Sequence, residues 1–318
     1  MLSKLKVIGA AIETTQGTAV SLSATDFIEA MDVEVEPESE LIEVPRVSSS
    51  LDPFAQITGK KNYNVKFKTF LKGSGDADLG IPPLDALLQS CGLTSTASAN
   101  VSVTYAPTSA AASANFYGPG KSVTVKSYEG AAASGLLKVV AGAMFNPKFI
   151  LEAGKPAIIE FSGKGKYTAV ADAAFPSNSP VLTDPPIVQS CTFTTQTYAA
   201  IISKLEIDFG NEISPRDDVH GATGILGYHI TGRKPTGSID PELVLVATHD
   251  YYGKVAAGTT GQLQIVLGSG TGLIWTITCP KVQYGNISPG DRGGVHTLSV
   301  PLIFSRSSGD DWISIVMT

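Results

Sequence analysis

Residues 31–44 read MDVEVEPESELIEV, with acids at Asp32, Glu34, Glu36, Glu38 and Glu40 and with Val33, Val35, Pro37, Ser39 and Leu41 between them. Successive side chains of a β-strand point to opposite faces, so this alternation specifies a strand with one acidic and one largely apolar face. The apolar face calls for a core. The acidic face has three uses open to it: plain solvation, a cation site, or a surface that repels another polyanion.

The pattern occurs twice. Residues 33–61, VEVEPESELIEVPRVSSSLDPFAQITGKK, and residues 205–234, LEIDFGNEISPRDDVHGATGILGYHITGRK, share an acidic alternating strand, an arginine, a Gly/Ser-rich excursion and a closing ITGKK or ITGRK. The spacing from Glu34 to Ile57 is 23 residues and from Glu206 to Ile230 is 24. A helix signal follows each copy. In GIPPLDALLQSCG the prolines suit a first turn and Gly92 a stop. In IDPELVLVATHDYYG, Asp240 suits a cap, Pro241 a first turn and Gly253 a stop. Then come two further strand-like pairs per half, VTVKSYEGAAASGLLKVVAGAM with AGKPAIIEFSGKGKYTAV, and LQIVLGSGTGLIWTITCPKV with GGVHTLSVPLIFSRSSGDDWISIV. The chain therefore reads as mainly β, with two tandem β-sandwich or half-barrel domains, each with one flanking helix. The first spans residues 1–175, a Pro/Ser-rich linker 176–189, and the second 190–318. Sheets of this kind must manage their edge strands, which are templates for other chains.

Composition narrows the function. The net charge of −6 excludes a strongly basic nucleic-acid-gripping surface, and charged residues are only 16% of the chain, so much of the surface is suited to burial against other chains. Cys91, Cys191 and Cys279 are odd in number and far apart, which fits a reducing compartment. Glu13 interrupts the N-terminal apolar run too early for a signal peptide, and no apolar stretch approaches the ~20 residues that span a bilayer. The expectation is a chain made and kept in a cytoplasm, with no membrane insertion.

No catalytic set converges. His220, His229, His249 and His296 are scattered, and no H-E-x-x-H or G-x-S-x-G pattern occurs. GSGDADLG, with Asp76 and Asp78, lacks the remaining calcium ligands and reads as a solvated turn. GKGKY at 163–167 lacks the phosphate-loop spacing and reads as a glycine-rich hairpin tip. His249 and Asp250, near the expected end of the second helix, suit a dipole-complementing histidine better than a metal site. Trp275 and Trp312 lie in apolar strand patterns and read as core, not as the aromatic platform of a carbohydrate-binding or adhesin module. Neither enzyme activity nor a cofactor is expected. In GKKNYNVKFKTFLKG, Lys66 and Lys68 share one strand face and Val65 and Phe67 the other, and the lysines are expected as cross-strand partners of Glu34 and Glu36.

The ordered series AAIETTQGTAV, DVEVEPESE, ITGKKNYNVKFKTFLKGSG, IPPLDALLQSCGL and EAGKPAIIEFSGKGKYTAVADAAFP, continuing into PPIV, resembles the tail tube proteins of long-tailed bacteriophages over most of the chain. A related resemblance is to the tubes of contractile injection systems, which share the unit fold. The resemblance implies a structural virion protein that forms stacked rings, one sheet of each unit joining its neighbours' into a closed barrel. It implies as partners the tape measure protein in the lumen, tail terminator and distal tail or baseplate proteins at the ends, and DNA in passage, with assembly in the host cytoplasm. Single-unit tube proteins form six-fold rings. Two units per chain make three chains per ring the expectation, a trimeric pseudo-hexamer, with a hexamer as the alternative.

Within that resemblance the acidic alternation acquires a use. Neutralised phosphates add counterion-release affinity, so a bore that passes DNA is better lined with carboxylates. Glu34, Glu36 and Glu38, with Glu206 and Asp208, are the expected lumen-facing acids, tempered by Lys66 and Lys68. Val33, Val35, Leu205 and Ile207 are expected to face the core. The excursions containing Ser48, Ser49, Ser50, Leu51, Asp52, Pro53 and Phe54, and Asp217, Asp218, Val219, His220 and Gly221, are candidates for contacts between rings.

Overall fold

The computed structural model describes residues 2–50, 52–75 and 80–318, so Leu51, Asp76 and Asp78 lie outside the described residues. Residues 1–175 supply β1 (Leu2–Ile12), β2 (Phe27–Ile28), β3 (Ala30–Ile42), β4 (Ile57–Phe70), α1 (Asp85–Ser90), β5 (Leu93–Ser98), β6 (Ser102–Pro107), β7 (Val123–Gly130), β8 (Gly135–Glu152), β9 (Ile158–Lys166) and β10 (Ala171–Ala173). Residues 190–318 supply β11 (Thr192–Thr195), β12 (Lys204–Asp208), β13 (Asn211–Asp217), β14 (Ile225–Arg233), β15 (Thr236–Ile239), α2 (Tyr251–Ala256), β16 (Thr260–Leu267), β17 (Trp275–Tyr284), β18 (Ser288–Arg292), β19 (Val295–Phe304) and β20 (Ser314–Met317). The fold is mainly β, and its helices are short. Among the described residues no helix is long and apolar enough to cross a membrane.

Every ladder between these strands is antiparallel. One layer runs β3–β4–β9–β8–β12–β15–β19–β18, eight strands in a continuous open sheet. Behind it, β2–β1–β7–β8–β10 and β5–β6–β20–β17–β16–β11 form the second layer. Strands β8 and β17 belong to both layers. The first part of β8 pairs with β7 and its later part with β9. Likewise β17 pairs with β20 at its start and with β19 at its end. The strand order in the first half, β3–β4–β9–β8, is thus repeated in the second as β12–β15–β19 with β17 and its continuation β18.

The core lies between the layers. Val35, Val65, Phe67, Leu205, Ile207, Trp275 and Trp312 are all buried, as their strand patterns require. Phe67, Phe145 and Phe161 pack with centroids 5.5–6.1 Å apart, stacked or edge-on. Each such pair contributes about 0.5–1.5 kcal/mol beyond its burial.

Several expectations are corrected. The apolar face of the acidic strand reaches the core only at Val35 and, half-buried, Val33, whereas Pro37, Ser39 and Leu41 are exposed on an arm that runs beyond the sandwich. The second helix starts ten residues later than expected. Pro241–Leu243 instead runs extended beside β19, with Leu298 N–H donating to the Pro241 carbonyl at 2.8 Å and Leu243 N–H to that of His296 at 2.9 Å. Asp240 caps no helix: its carboxylate accepts from the Ser203 and Lys204 amides at 2.8 and 2.7 Å. Asp250 is the cap of α2, accepting from Gly253 N–H at 2.7 Å. His249 therefore precedes the positive end of that helix and cannot complement its dipole. It stacks on Tyr198 at 4.7 Å, and burial and then Lys254 push its pKa down. Finally, Gly163 and Gly165 are not at a tip but inside β9. A Cβ on Gly163 would come within 2.3 Å of the Met144 carbonyl oxygen, where β8 bends across from one layer to the other.

Candidate functional site: the charged face and the open edges

The outer face of the eight-stranded layer carries the charge, row by row. Glu34 lies opposite Lys66, which lies opposite Ser162. In the next row Lys68, Glu160, Lys148 and Asp208 follow one another across four strands. In the row after that, Phe70, Ile158, Ile150, Glu206 and Ser238 do the same. All five expected acids, Glu34, Glu36, Glu38, Glu206 and Asp208, thus share one face across both halves.

Their partners differ in part from expectation. Lys66 does face Glu34, but its ion pair is with Glu160 at 3.2 Å. Glu36 faces Asn64, not a lysine. Lys68 pairs with Asp32 at 2.8 Å. The reason is an irregularity in β3 between Met31 and Glu34, where Asp32 adopts φ 52° and swings its carboxylate over Lys68. The bond from Lys68 then holds Asp32 below the usual carboxylate range. Glu38 accepts from the Asn62 and Asn64 amides at 2.9 and 3.0 Å, which lower its pKa. Glu206 bridges Lys148, at 3.0 Å, and Lys204. Burial pushes Glu206 up, but the hydrogen bonds from these two lysines outweigh it and leave the group below its ordinary value. Asp208 accepts from Asn146 Nδ2 at 2.8 Å. The face is mixed, not uniformly negative: Lys66, Lys68, Lys148 and Lys204 are ion-paired, whereas among the described residues Glu34, Glu36 and Lys164 on the same face make no ion pair.

Two edges of this layer stay open: among the described residues, the outer side of β3 and the outer side of β18 have no partner strand. On β3, the carbonyls of Val33 and Val35 point to the open side and accept from Lys6 Nζ at 3.0 Å and Lys138 Nζ at 2.8 Å. Glu129 holds both ammoniums, Lys138 at 3.1 Å and Lys6 at 3.8 Å. A cavity of about 690 Å³ opens beside them, with Lys6, Ile8, Ala30, Val33 and Phe67 in its wall. On β18, Ser288, Pro289 and Asp291 are exposed. Sequence reasoning missed β18, because SPGDR shows neither alternation nor β-branched residues. It also missed Lys138, whose role depends on a strand more than a hundred residues earlier.

The two excursions are placed differently. Ser48, Ser49, Ser50, Asp52, Pro53 and Phe54 are exposed on the arm between β3 and β4, where Arg46 lies 5.6 Å over the Phe54 ring. The β13–β14 hairpin, which carries Asp217, Asp218, Val219, His220 and Gly221 at its end, folds back over the first half. Asp217 pairs with Lys60 at 2.7 Å, Lys61 N–H donates to the Thr223 carbonyl at 3.3 Å, and Met144 packs with Ile225, Tyr228 and Ile230. Val219 and His220 remain exposed.

Among the described residues no group of three His, Cys, Asp or Glu side chains converges as a metal site. Cys91 and Cys279 are fully buried, and burial pushes their thiols up. What remains is a surface built for contact: an open sheet with two free edges and one charged face. The profile of the phage tail tube protein family matches residues 3–302. The chain belongs to the phage tail tube protein family. No curated protein matches it. As a tail tube protein it is a structural component of the virion tail, and its family implies self-assembly and contact with other tail components.

Proposed function

We propose that this chain is the repeating subunit of a tail tube, with two tube domains, residues 1–175 and 190–318, joined by the 176–189 linker, and with three chains to a ring. The observation that carries this reading is the eight-stranded layer, in which two four-strand blocks of the same order follow each other head to tail and leave complementary ends open. A head-to-tail contact generates a ring when its rotation closes, and closure alone removes the edges. Strand spacing of about 4.8 Å gives three such chains a backbone-to-backbone diameter of roughly 37 Å before tilt, and two chains roughly 24 Å. Side chains take about 5 Å from each wall, half the spacing of stacked sheets. Three chains leave a bore that passes a DNA duplex, and two do not.

In this reading the charged face lines the bore, and Glu34, Glu36, Glu38, Glu206 and Asp208 face the lumen. Lys66, Lys68, Lys148 and Lys204 are each already paired with a carboxylate. A phosphate must displace that carboxylate before it gains from the lysine, which limits counterion release and drag. The tape measure protein occupies the bore during assembly in the host cytoplasm, terminator and distal tail or baseplate proteins close the ends, and DNA later passes through. The arm at 48–54 and the hairpin end at 217–221 supply contacts between rings. The subunit acts by assembly and catalyses nothing. A symmetry-averaged cryo-EM reconstruction of isolated tubes tests the proposal. It is expected to show three chains per layer with the charged face inward. Six chains per layer, or that face outward, would reject it.

A further inference from the structure

The join between the two halves specifies the join between chains. It pairs β8 with β12, Lys148 opposite Asp208, Ile150 opposite Glu206 and Glu152 opposite Lys204. The row Glu34–Lys66–Ser162 of the first block occupies the place of Glu206–Ser238–Pro301 in the second. Counting along the ladders from that row puts Ser288 where Lys148 stands, Gly290 where Ile150 stands and Arg292 where Glu152 stands. The open edge of β18 is the counterpart of the β8 edge, and the open edge of β3 that of β12. Resting on the ring reading above, we propose that β18 of one copy pairs antiparallel with β3 of the next, Ser288 opposite Glu36, Gly290 opposite Glu34 and Arg292 opposite Asp32.

Three features of this chain fit that register. Arg292, which within its own chain bridges Asp240 at 3.2 Å and Glu242 at 2.8 Å, brings a facing charge to the acid Asp32, as Lys204 faces Glu152 in register at the internal join with the signs reversed. Pro289 falls opposite Val35, in the position of Phe149 opposite Ile207. At that join the odd-numbered residues of β8 turn their backbones toward β12, as the Phe209 N–H to Pro147 carbonyl bond of 3.2 Å shows. Pro289 can accept from Val35 N–H but has no N–H to give back. The Val35 carbonyl keeps a donor because Lys138 already supplies one. Asp291 falls opposite Val33, on the core-facing side and beyond the end of its own core, so its carboxylate reaches the cavity beside Lys6. Its backbone N–H replaces Lys6 on the Val33 carbonyl, and its side chain receives the released ammonium. In the free chain Lys6 and Lys138 occupy the edge carbonyls, and lysine at an edge blunts nonspecific strand addition.

The test is a paired-cysteine experiment on the full chain, with Cys191→Ser to remove the partly exposed thiol. Ser288 and Glu36 form a non-hydrogen-bonded pair in this register, with a Cα separation of about 4.5 Å that a disulfide spans. Oxidised tubes of Ser288→Cys/Glu36→Cys are expected to dissolve in detergent as covalent multimers lost on reduction, and Ser288→Cys/Glu38→Cys tubes as single chains. In a second arm, Asp291→Lys is expected to raise the critical concentration for assembly by about tenfold, and Lys6→Glu in the same chain to restore it. Tubes that form but cross-link only in the shifted pair, or an Asp291→Lys chain that assembles as wild type does, overturn the register and leave the ring reading standing. A wild-type chain that yields neither rings nor tubes, even when seeded with tail tips, overturns both.

Discussion

Glu13 shows how a single residue can hold two layers together. It is buried, and its carboxylate accepts four hydrogen bonds, from Gly17 N–H at 2.7 Å, Ser122 Oγ at 2.6 Å, Thr124 Oγ1 at 2.9 Å and Gly142 N–H at 2.7 Å. Those donors come from the segment after β1, from the start of β7 and from the bend of β8, so one anion fixes the place where β8 changes layers. Removing the acceptor leaves four donors facing a dry gap, and each unsatisfied buried donor costs about 1–3 kcal/mol. Glu13→Ala is expected to lower stability by roughly 3 kcal/mol or more in urea unfolding. Glu13→Gln should lower it by less but still measurably, because its amide turns an N–H₂ group toward other donors. A neighbouring glutamine acts similarly: the Gln16 side chain donates to the Tyr228 carbonyl and accepts from Tyr117 N–H at 2.6 Å, tying the β13–β14 hairpin to the first half. In the sequence Glu13 is legible only as a charge interrupting an apolar run, because its partners lie up to 129 residues away.

Between elements, the join of β8 and β12 carries a pH-sensitive group. Glu206 lies in it, held below its ordinary pKa by Lys148 and Lys204 against the opposing effect of burial. A carboxylate with a depressed folded pKa contributes stability that is complete above the unfolded value, about 4.3, and is lost as pH falls through the lower folded value. Wild type should therefore lose stability between about pH 5 and pH 3, and Glu206→Gln should show a smaller loss over the same interval, measured as the shift in urea midpoint. The second join of this kind is the bend at Gly210, which has φ 58° and would place a Cβ 2.2 Å from the Lys234 carbonyl oxygen. That bend lets the chain leave β12 and start β13 out of line, so Gly210→Ala is expected to cost about 2 kcal/mol or more and to loosen the hairpin, read as faster amide exchange at Ile225–Ile230. The strand alternation and the first helix were legible because each is a local pattern of period two or 3.6, and the ITGKK and ITGRK echo because it is a direct repetition of residues. The start of α2 was not, because Asp240 and Pro241 satisfy every local rule for a helix entry while Ser203, Lys204 and β19 compete for the same groups and win.

At the scale of the whole molecule the two halves are interlocked by the last strand as well as by the join of β8 and β12. Strand β20 lies between β17 of the second half and β6 of the first, with Ile277 opposite Ile315, which lies opposite Tyr105 in turn. Among the described residues its counterpart β10 pairs only with β8, and β5 and β6 have no counterpart in the second half, so the duplication that the sequence displays is overlaid by an asymmetric clasp. That clasp was not legible, since SIVM is too short to reveal its partners. Ile315 is fully buried in the core that both halves share. Truncating it to alanine should cost about 2–5 kcal/mol. With one continuous core and two strand joins across the halves, unfolding is expected to be a single transition, followed alike by far-UV circular dichroism and by the fluorescence of Trp275 and Trp312. In Ile315→Ala that one transition should move as a whole to lower denaturant, with coincident midpoints from the two probes. Two separated transitions, only one of them shifted by the substitution, would mean that the halves fold as independent bodies and that the last strand stabilises one of them without clasping the two together.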